Sequence, residues 1–213
     1  LTRFDGVLWH PREIEEESLR LVEGYLQKYK FPPGEKAVVS RLVHTSGDPA
    51  LAELVRFHPQ AVDTGWAALR NGAHIFTDVT MLAAGINHRR LTSYGGAVHC
   101  AVHTPEVAAE AAARGITRSA VAMEKFGNKL QGQVVAIGNA PTALFTLLKM
   151  IEEGLRPALV VGMPVGFVGA AHSKELLLQQ GKVPCITVLG TRGGSPLAAA
   201  TINALLYYQG SGG

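Results

Sequence analysis

A histidine, two arginines and three glycine-bearing loops carry most of the chemistry available to this 213-residue chain. His44 stands in Ser40-Arg41-Leu42-Val43-His44-Thr45-Ser46-Gly47-Asp48-Pro49, where the Ser-Gly-Asp breaker puts it at the carboxyl end of a helix. The helix dipole there favours imidazolium, and imidazole exchanges a proton most readily near neutral pH. The same placement suits a histidine that only caps the last carbonyls. Arg41 lies one turn earlier, within reach of an anion shared with His44. Arg118, in Gly115-Ile116-Thr117-Arg118-Ser119-Ala120, opens a later helix, where a cation gains nothing from the dipole. It either grips an external anion through two parallel N–H bonds or joins an ordinary ion pair.

The loops are clearest in residues 134–168, VVAIGNAPTALFTLLKMIEEGLRPALVVGMPVGFV. Twice a β-branched run meets a Gly/Pro loop that opens onto a helical stretch: Gly138-Asn139-Ala140-Pro141-Thr142, then Gly162-Met163-Pro164-Val165-Gly166. A third loop runs Thr191-Arg192-Gly193-Gly194-Ser195-Pro196. In an open α/β sheet such loops sit at the carboxyl ends of the strands, where ligands bind. Their glycines let a ligand approach the backbone, and helix N-termini offer N–H donors to carboxylates. Alternatively they only make tight turns, with Asn139 and Ser195 near N-caps and Pro141 and Pro196 at helix N1 positions.

The elements that must hold these groups change character near residue 72. Pro11 followed by Glu13, Glu15, Glu16 and Glu17 starts a helix with apolar positions at Ile14, Leu19, Leu21, Val22 and Leu26, and Pro32-Pro33-Gly34 stops it. A second helix is expected from Glu35, with Val38, Val39, Leu42 and Val43 as apolar positions, up to the breaker Ser46-Gly47-Asp48, and shorter ones over 49–57 and 59–71. Strands then alternate with helices, at 74–77, 97–102, 134–137, 158–161 and 185–189. The pattern predicts one domain over residues 1–213, helical over 11–72 and alternating β/α over 73–208. Its fold class is α/β: three layers around a doubly wound, mostly parallel sheet of about five strands.

Composition removes several functions. Hydrophobic residues at 47%, charged residues at 17% and 24 glycines suit a packed α/β enzyme rather than a disordered chain. The net charge of +3 comes without basic–aromatic clusters, which argues against nucleic acid but suits a polycarboxylate ligand. Cys100 and Cys185 form no CxxC pair and lie in apolar runs, as expected of reduced, buried residues in a cytoplasmic protein. No apolar run approaches the roughly 20 residues of a membrane helix. LTRFDG contains no signal core, and Leu1 need not be the native N-terminus. GxGxxG, GxxxxGK[ST] and GxSxG are absent. His99 and His103 have HxxxH spacing, but in a strand this separates them by roughly 13 Å, so no metal site is expected. Asp63 and Asp78 stand alone in the sequence.

The strings RLVHTSGDP, TRSA, AIGNAPTALF, GMPVGFVGAAHSKE and RGGS, in order and spacing, resemble the precorrin-8X methylmutase family, also called cobalt-precorrin-8 methylmutase, over about residues 18–206. His172 stands where that family commonly has an acid. The resemblance implies an isomerase of cobalamin biosynthesis acting on a tetrapyrrole. Such enzymes move a methyl group from C-11 to C-12 as a 1,5-sigmatropic shift, giving hydrogenobyrinate or cobyrinate, without a separate cofactor and at a homodimer interface. It implies that His44 is the active-site histidine and that Ser18 and Arg118 bind substrate. The reading of the second helix and the loops adds Arg41, Asn139, Thr142, Gly166 and Phe167 as substrate contacts, with Val165, Leu144 and Met163 as apolar lining. Two other classes share parts of this inventory. A corrinoid carrier would not need His44, and a corrin methyltransferase would need S-adenosylmethionine.

Overall fold

Pro11 pre-sets the first turn of α1 (Pro11–Leu26), and Pro33 does the same for α2 (Pro33–Ser46). In the computed structural model, which describes residues 6–210, the proline expected to end one helix therefore begins the next, two residues ahead of Glu35. Gly47 ends α2 by turning left-handed, φ +65°, and its N–H bonds the Val43 carbonyl at 2.9 Å. Most of the LTRFDG stretch lies outside the described residues.

The helix expected over 49–57 is instead a 3-10 turn, Pro49–Glu53, followed by a strand, β1 (Val55–Phe57). Next come α3 (Ala61–Arg70), β2 (Ile75–Thr77), α4 (Thr80–Gly85), α5 (His88–Ser93) and β3 (Val98–Cys100). After α6 (Pro105–Arg114) and α7 (Arg118–Phe126), the chain runs β4 (Val134–Ile137), α8 (Pro141–Glu152), β5 (Leu159–Gly162), α9 (Ala170–Gln179), β6 (Cys185–Val188) and α10 (Ser195–Tyr207). The sheet order is β1-β6-β5-β4-β2-β3, parallel except for β1. The sheet thus has six strands rather than about five. Nothing local in Val-Arg-Phe announces a strand; β1 forms because the edge of β6 accepts it, Val55 opposite Val188.

Strands buried on both faces need no polar alternation, which explains why β4 reads Val-Val-Ala-Ile. Val134, Ala136, Leu159, Val161, Ile186 and Val188 meet α2, α3, α4 and α10 on one face. Val135, Ile137, Val160 and Cys185 meet α7, α8 and α9 on the other, completing three layers. β3 and β4 flank β2 on opposite sides, so the winding reverses at β2, the switch point beyond which such sheets bind ligands. Ten of the 13 residues of α10 are buried. The other three, Pro196, Asn203 and Tyr207, fall on one face of the helix and line a cleft of about 660 Å³.

Candidate active site

His44 sits in the last turn of α2 because Gly47 ends the helix there. α1 crosses this end and brings half-buried Ser18 to it, Oγ 2.8 Å from His44 Nδ1. With one ring nitrogen engaged by the hydroxyl, Nε2 is left for the cleft that His44 lines. This cleft has a volume of about 660 Å³, within the usual range for small-molecule sites. Arg41 faces it from one turn back, 3.5 Å from the exposed carboxylate of Glu15. The opposite wall is polar: Asn203 Oδ1 accepts from the Asn87 backbone N–H at 2.8 Å, Asn203 Nδ2 donates to the Gly85 carbonyl at 2.9 Å, and Asn87 Nδ2 donates to the Tyr207 hydroxyl at 2.7 Å. Sequence reading missed Asn87, Asn203 and Tyr207. Asn203 and Tyr207 interrupt a largely apolar helix, a signal that was available.

The Gly/Pro loops meet at the carboxyl edge, but chiefly to touch one another. A Cβ on Gly138 would lie 2.7 Å from Ser195 Cα, and one on Gly193 would collide with the Met163 and Pro164 carbonyl oxygens. These two glycines admit a neighbouring backbone, where a ligand was expected. The buried Asp78 carboxylate, just after β2, holds the first loop by accepting the N–H groups of Gly138, Asn139 and Ala140 at 3.0, 2.8 and 2.8 Å. Burial pushes the Asp78 carboxyl above its ordinary range, while those three N–H bonds pull the other way. Lys174 of α9 is fully buried and donates to the Arg192 carbonyl of the third loop at 2.5 Å. Burial lowers its ammonium from the ordinary 10.5 to about 8. Arg192 in turn pairs with Asp48 at 2.6 Å, tying that loop to the end of α2. Neither Asp78 nor Lys174 was singled out from sequence as a fixed point.

The remaining expected residues fall elsewhere. Arg118 is the first residue of α7, exposed and without a hydrogen bond or ion pair among the described residues. Thr142 lines a separate recess of about 560 Å³ between α6, α7 and α8, where its hydroxyl meets that of Thr117 at 2.6 Å. Asn139 is exposed and adjoins the N-cap of α8, Ala140, with Pro141 at N1; Ser195 adjoins the N-cap of α10, Gly194, which puts Pro196 at N2 rather than the expected N1. Gly166 adopts φ +129° with open space around its Cα, and Phe167 beside it is 96% exposed. Leu144 and Met163 are core residues and line no site, whereas Val165 is exposed. The structure therefore gathers Ser18, Arg41 and His44 around one cleft and places Arg118 and Thr142 at another part of the surface.

His99 meets His74, the residue just before β2, Nε2 to Nδ1 at 3.0 Å, and stacks on Phe76. Burial, then the neighbouring His74 and Lys129, lower the His99 imidazolium. Among the described residues no three His, Cys, Asp or Glu side chains gather as a metal site, and no helix is long and apolar enough to cross a membrane. Cys185 is buried, its thiol pushed up to about 11, while Cys100 on the edge strand is only half-buried, against expectation.

Fold and cleft together define a three-layer α/β protein with a switch-point sheet, an oriented histidine at a helix end and no nucleotide-type loop. The family model described as precorrin-8X methylmutase matches residues 13–208, and the chain belongs to that family. It is 48% identical over 194 residues to the precorrin-8X methylmutase of Pseudomonas aeruginosa, covering 90% of this chain and 93% of that one. It is 37% identical over 212 residues to the cobalt-precorrin-8 methylmutase of Priestia megaterium, covering 99% and 94%. The crystal structure of a precorrin-8X methylmutase from Thermus thermophilus superposes with a TM-score of 0.84 at 40% identity, covering 92% of this chain and 96% of that one.

Proposed function

We propose that this protein is an isomerase of corrin biosynthesis that moves a methyl group from C-11 to C-12 of precorrin-8X or cobalt-precorrin-8, yielding hydrogenobyrinate or cobyrinate. The observation that carries this reading is the Ser18–His44 pair opening onto the cleft. A 1,5-sigmatropic shift breaks one carbon–methyl bond as it makes another and moves the double bonds with it, so mass is unchanged. No nucleophile, hydride donor or separate cofactor is required. The protein's contribution is to hold the macrocycle in a reactive conformation and to share a proton with it. Ser18 fixes the His44 ring so that Nε2 serves this role, which makes Ser18 an orienting group as well as a substrate contact. Arg41 and Arg118 bind peripheral carboxylates, and Asn139, Thr142, Gly166 and Phe167 contact the ring or its arms. The reading takes residues 1–213 as one methylmutase domain.

A homodimer with the site at its interface belongs to the same reading. The separation of the Thr142 recess from the His44 cleft, and the exposure of Phe167 at 96% and Val168 at 90%, support it. Two unpaired thiols suit a cytoplasmic location. Incubation with metal-free and cobalt precursors tests the activity: the absorption spectrum should change at constant mass for at least one of them. Unaltered precursor bound tightly would indicate a carrier instead, and saturable binding of S-adenosylmethionine by calorimetry would indicate a methyltransferase.

A further inference from the structure

Tyr207 and Arg41 line both the main cleft and a side recess of about 350 Å³ behind it, so they stand on the ridge between the two. Tyr207 is held from two sides. The Arg90 guanidinium lies 4.5 Å over its ring, itself fixed by an Nε bond to the Leu206 carbonyl at 2.8 Å. On the other side Asn87 meets the hydroxyl, and the direction of that bond is determined. Asn87 Oδ1 already accepts the Arg90 backbone N–H at 3.0 Å as the cap of α5, so the group facing Tyr207 is the Nδ2 donor. The Tyr207 oxygen is therefore an acceptor within the protein, and its own proton has no protein partner among the described residues. Across the ridge Arg41 has, among the described residues, only the loose contact to Glu15 at 3.5 Å, a carboxylate that a bound anion would displace.

We infer that Tyr207 is a substrate-binding residue, donating its hydroxyl proton, together with the Arg41 guanidinium, to one carboxylate arm of the ligand that enters the side recess. This rests on the cleft being the corrinoid site. A preorganised O–H and a guanidinium converging on one carboxylate form charge-assisted bonds without reordering either side chain. The subsite also gives a purpose to Tyr207, and to Asn203 as the residue that holds Asn87 in place beside it, on the unburied face of α10.

Titration with hydrogenobyrinate, followed by the ligand's absorbance, tests the subsite in wild type, Tyr207→Phe, Arg41→Gln and the double variant. Each single change should weaken binding roughly tenfold. The double variant should lose less than the product of the two, because both bonds end on one carboxylate. Under turnover Tyr207→Phe should raise KM with kcat nearly unchanged, which a merely structural residue would not produce. Glu15→Gln, a surface change that frees Arg41, should tighten binding. Unchanged binding in both Tyr207→Phe and Glu15→Gln, or a loss in kcat alone, would overturn the subsite. Wild-type protein that neither binds nor converts the corrinoid would overturn the functional reading and the subsite with it.

Discussion

His44 and Asp78 both stand at the ends of secondary-structure elements and both are fixed by hydrogen bonds, yet they are held in opposite ways. The His44 ring takes one bond, with Ser18, and keeps its other edge on a cleft of about 660 Å³. The Asp78 carboxylate commits its oxygens to three backbone N–H groups and is closed off from solvent. A group that must meet a ligand retains an unsatisfied edge, whereas a group that must hold a loop is satisfied entirely by the protein. By that criterion the helical layer, where His44 keeps an open edge, is the part of the molecule free to meet a ligand. The loops at the sheet edge are built first to hold one another, with Asp78 and Lys174 as buried fixed points.

The most severe way to break this contrast is His44→Ala. Turnover, followed by the change in the ligand's absorption spectrum, should fall by about 100-fold or more, with the melting temperature nearly unchanged. Wild-type turnover by that variant would remove His44 from the mechanism. Asp78→Asn should show the reverse pattern. The amide keeps one acceptor but turns an N–H₂ toward backbone donors, so urea unfolding should report a loss of roughly 3 kcal/mol. Stability equal to wild type would mean that the loop does not depend on the carboxylate.

A smaller effect sharpens the role of Lys174. Its folded value of about 8 lies below the ordinary 10.5, so between these values the unfolded chain holds a proton that the folded one has released. Stability from this group therefore rises with pH across that window, by at most about 1.4 kcal/mol per pH unit, and below pH 8 its buried ammonium opposes folding. Lys174→Met should remove that slope in urea titrations at pH 7.5 and 9.5. An unaltered slope would show that Lys174 titrates normally.

Legibility in the sequence followed the range of the interactions involved. The strand Val134–Ile137 was read with its observed bounds because a doubly buried strand requires an unbroken β-branched and apolar run. The end of α2, and with it the position of His44, was readable because Gly47 terminates a helix through its own backbone geometry. β1 was not readable, since Val-Arg-Phe becomes a strand only by pairing with β6, more than a hundred residues later. Asp78 looked like an isolated charge, and Lys174 drew no notice, because their burial and backbone partners belong to other segments of the chain. The glycines of Gly138 and Gly193 were visible, but not that their missing Cβ atoms make room for backbone rather than ligand.

By itself, then, the sequence determined the α/β class, the alternating sheet and the family motifs, all of which depend on local propensity and spacing. Only the tertiary structure decided that Ser18 turns the ring of His44, that Tyr207 and Arg41 share a ridge, and that Thr142 lines a different recess. Hydrogen bonds and clefts connect residues that the chain separates by 26 to 166 positions, and spacing along the sequence does not encode that proximity.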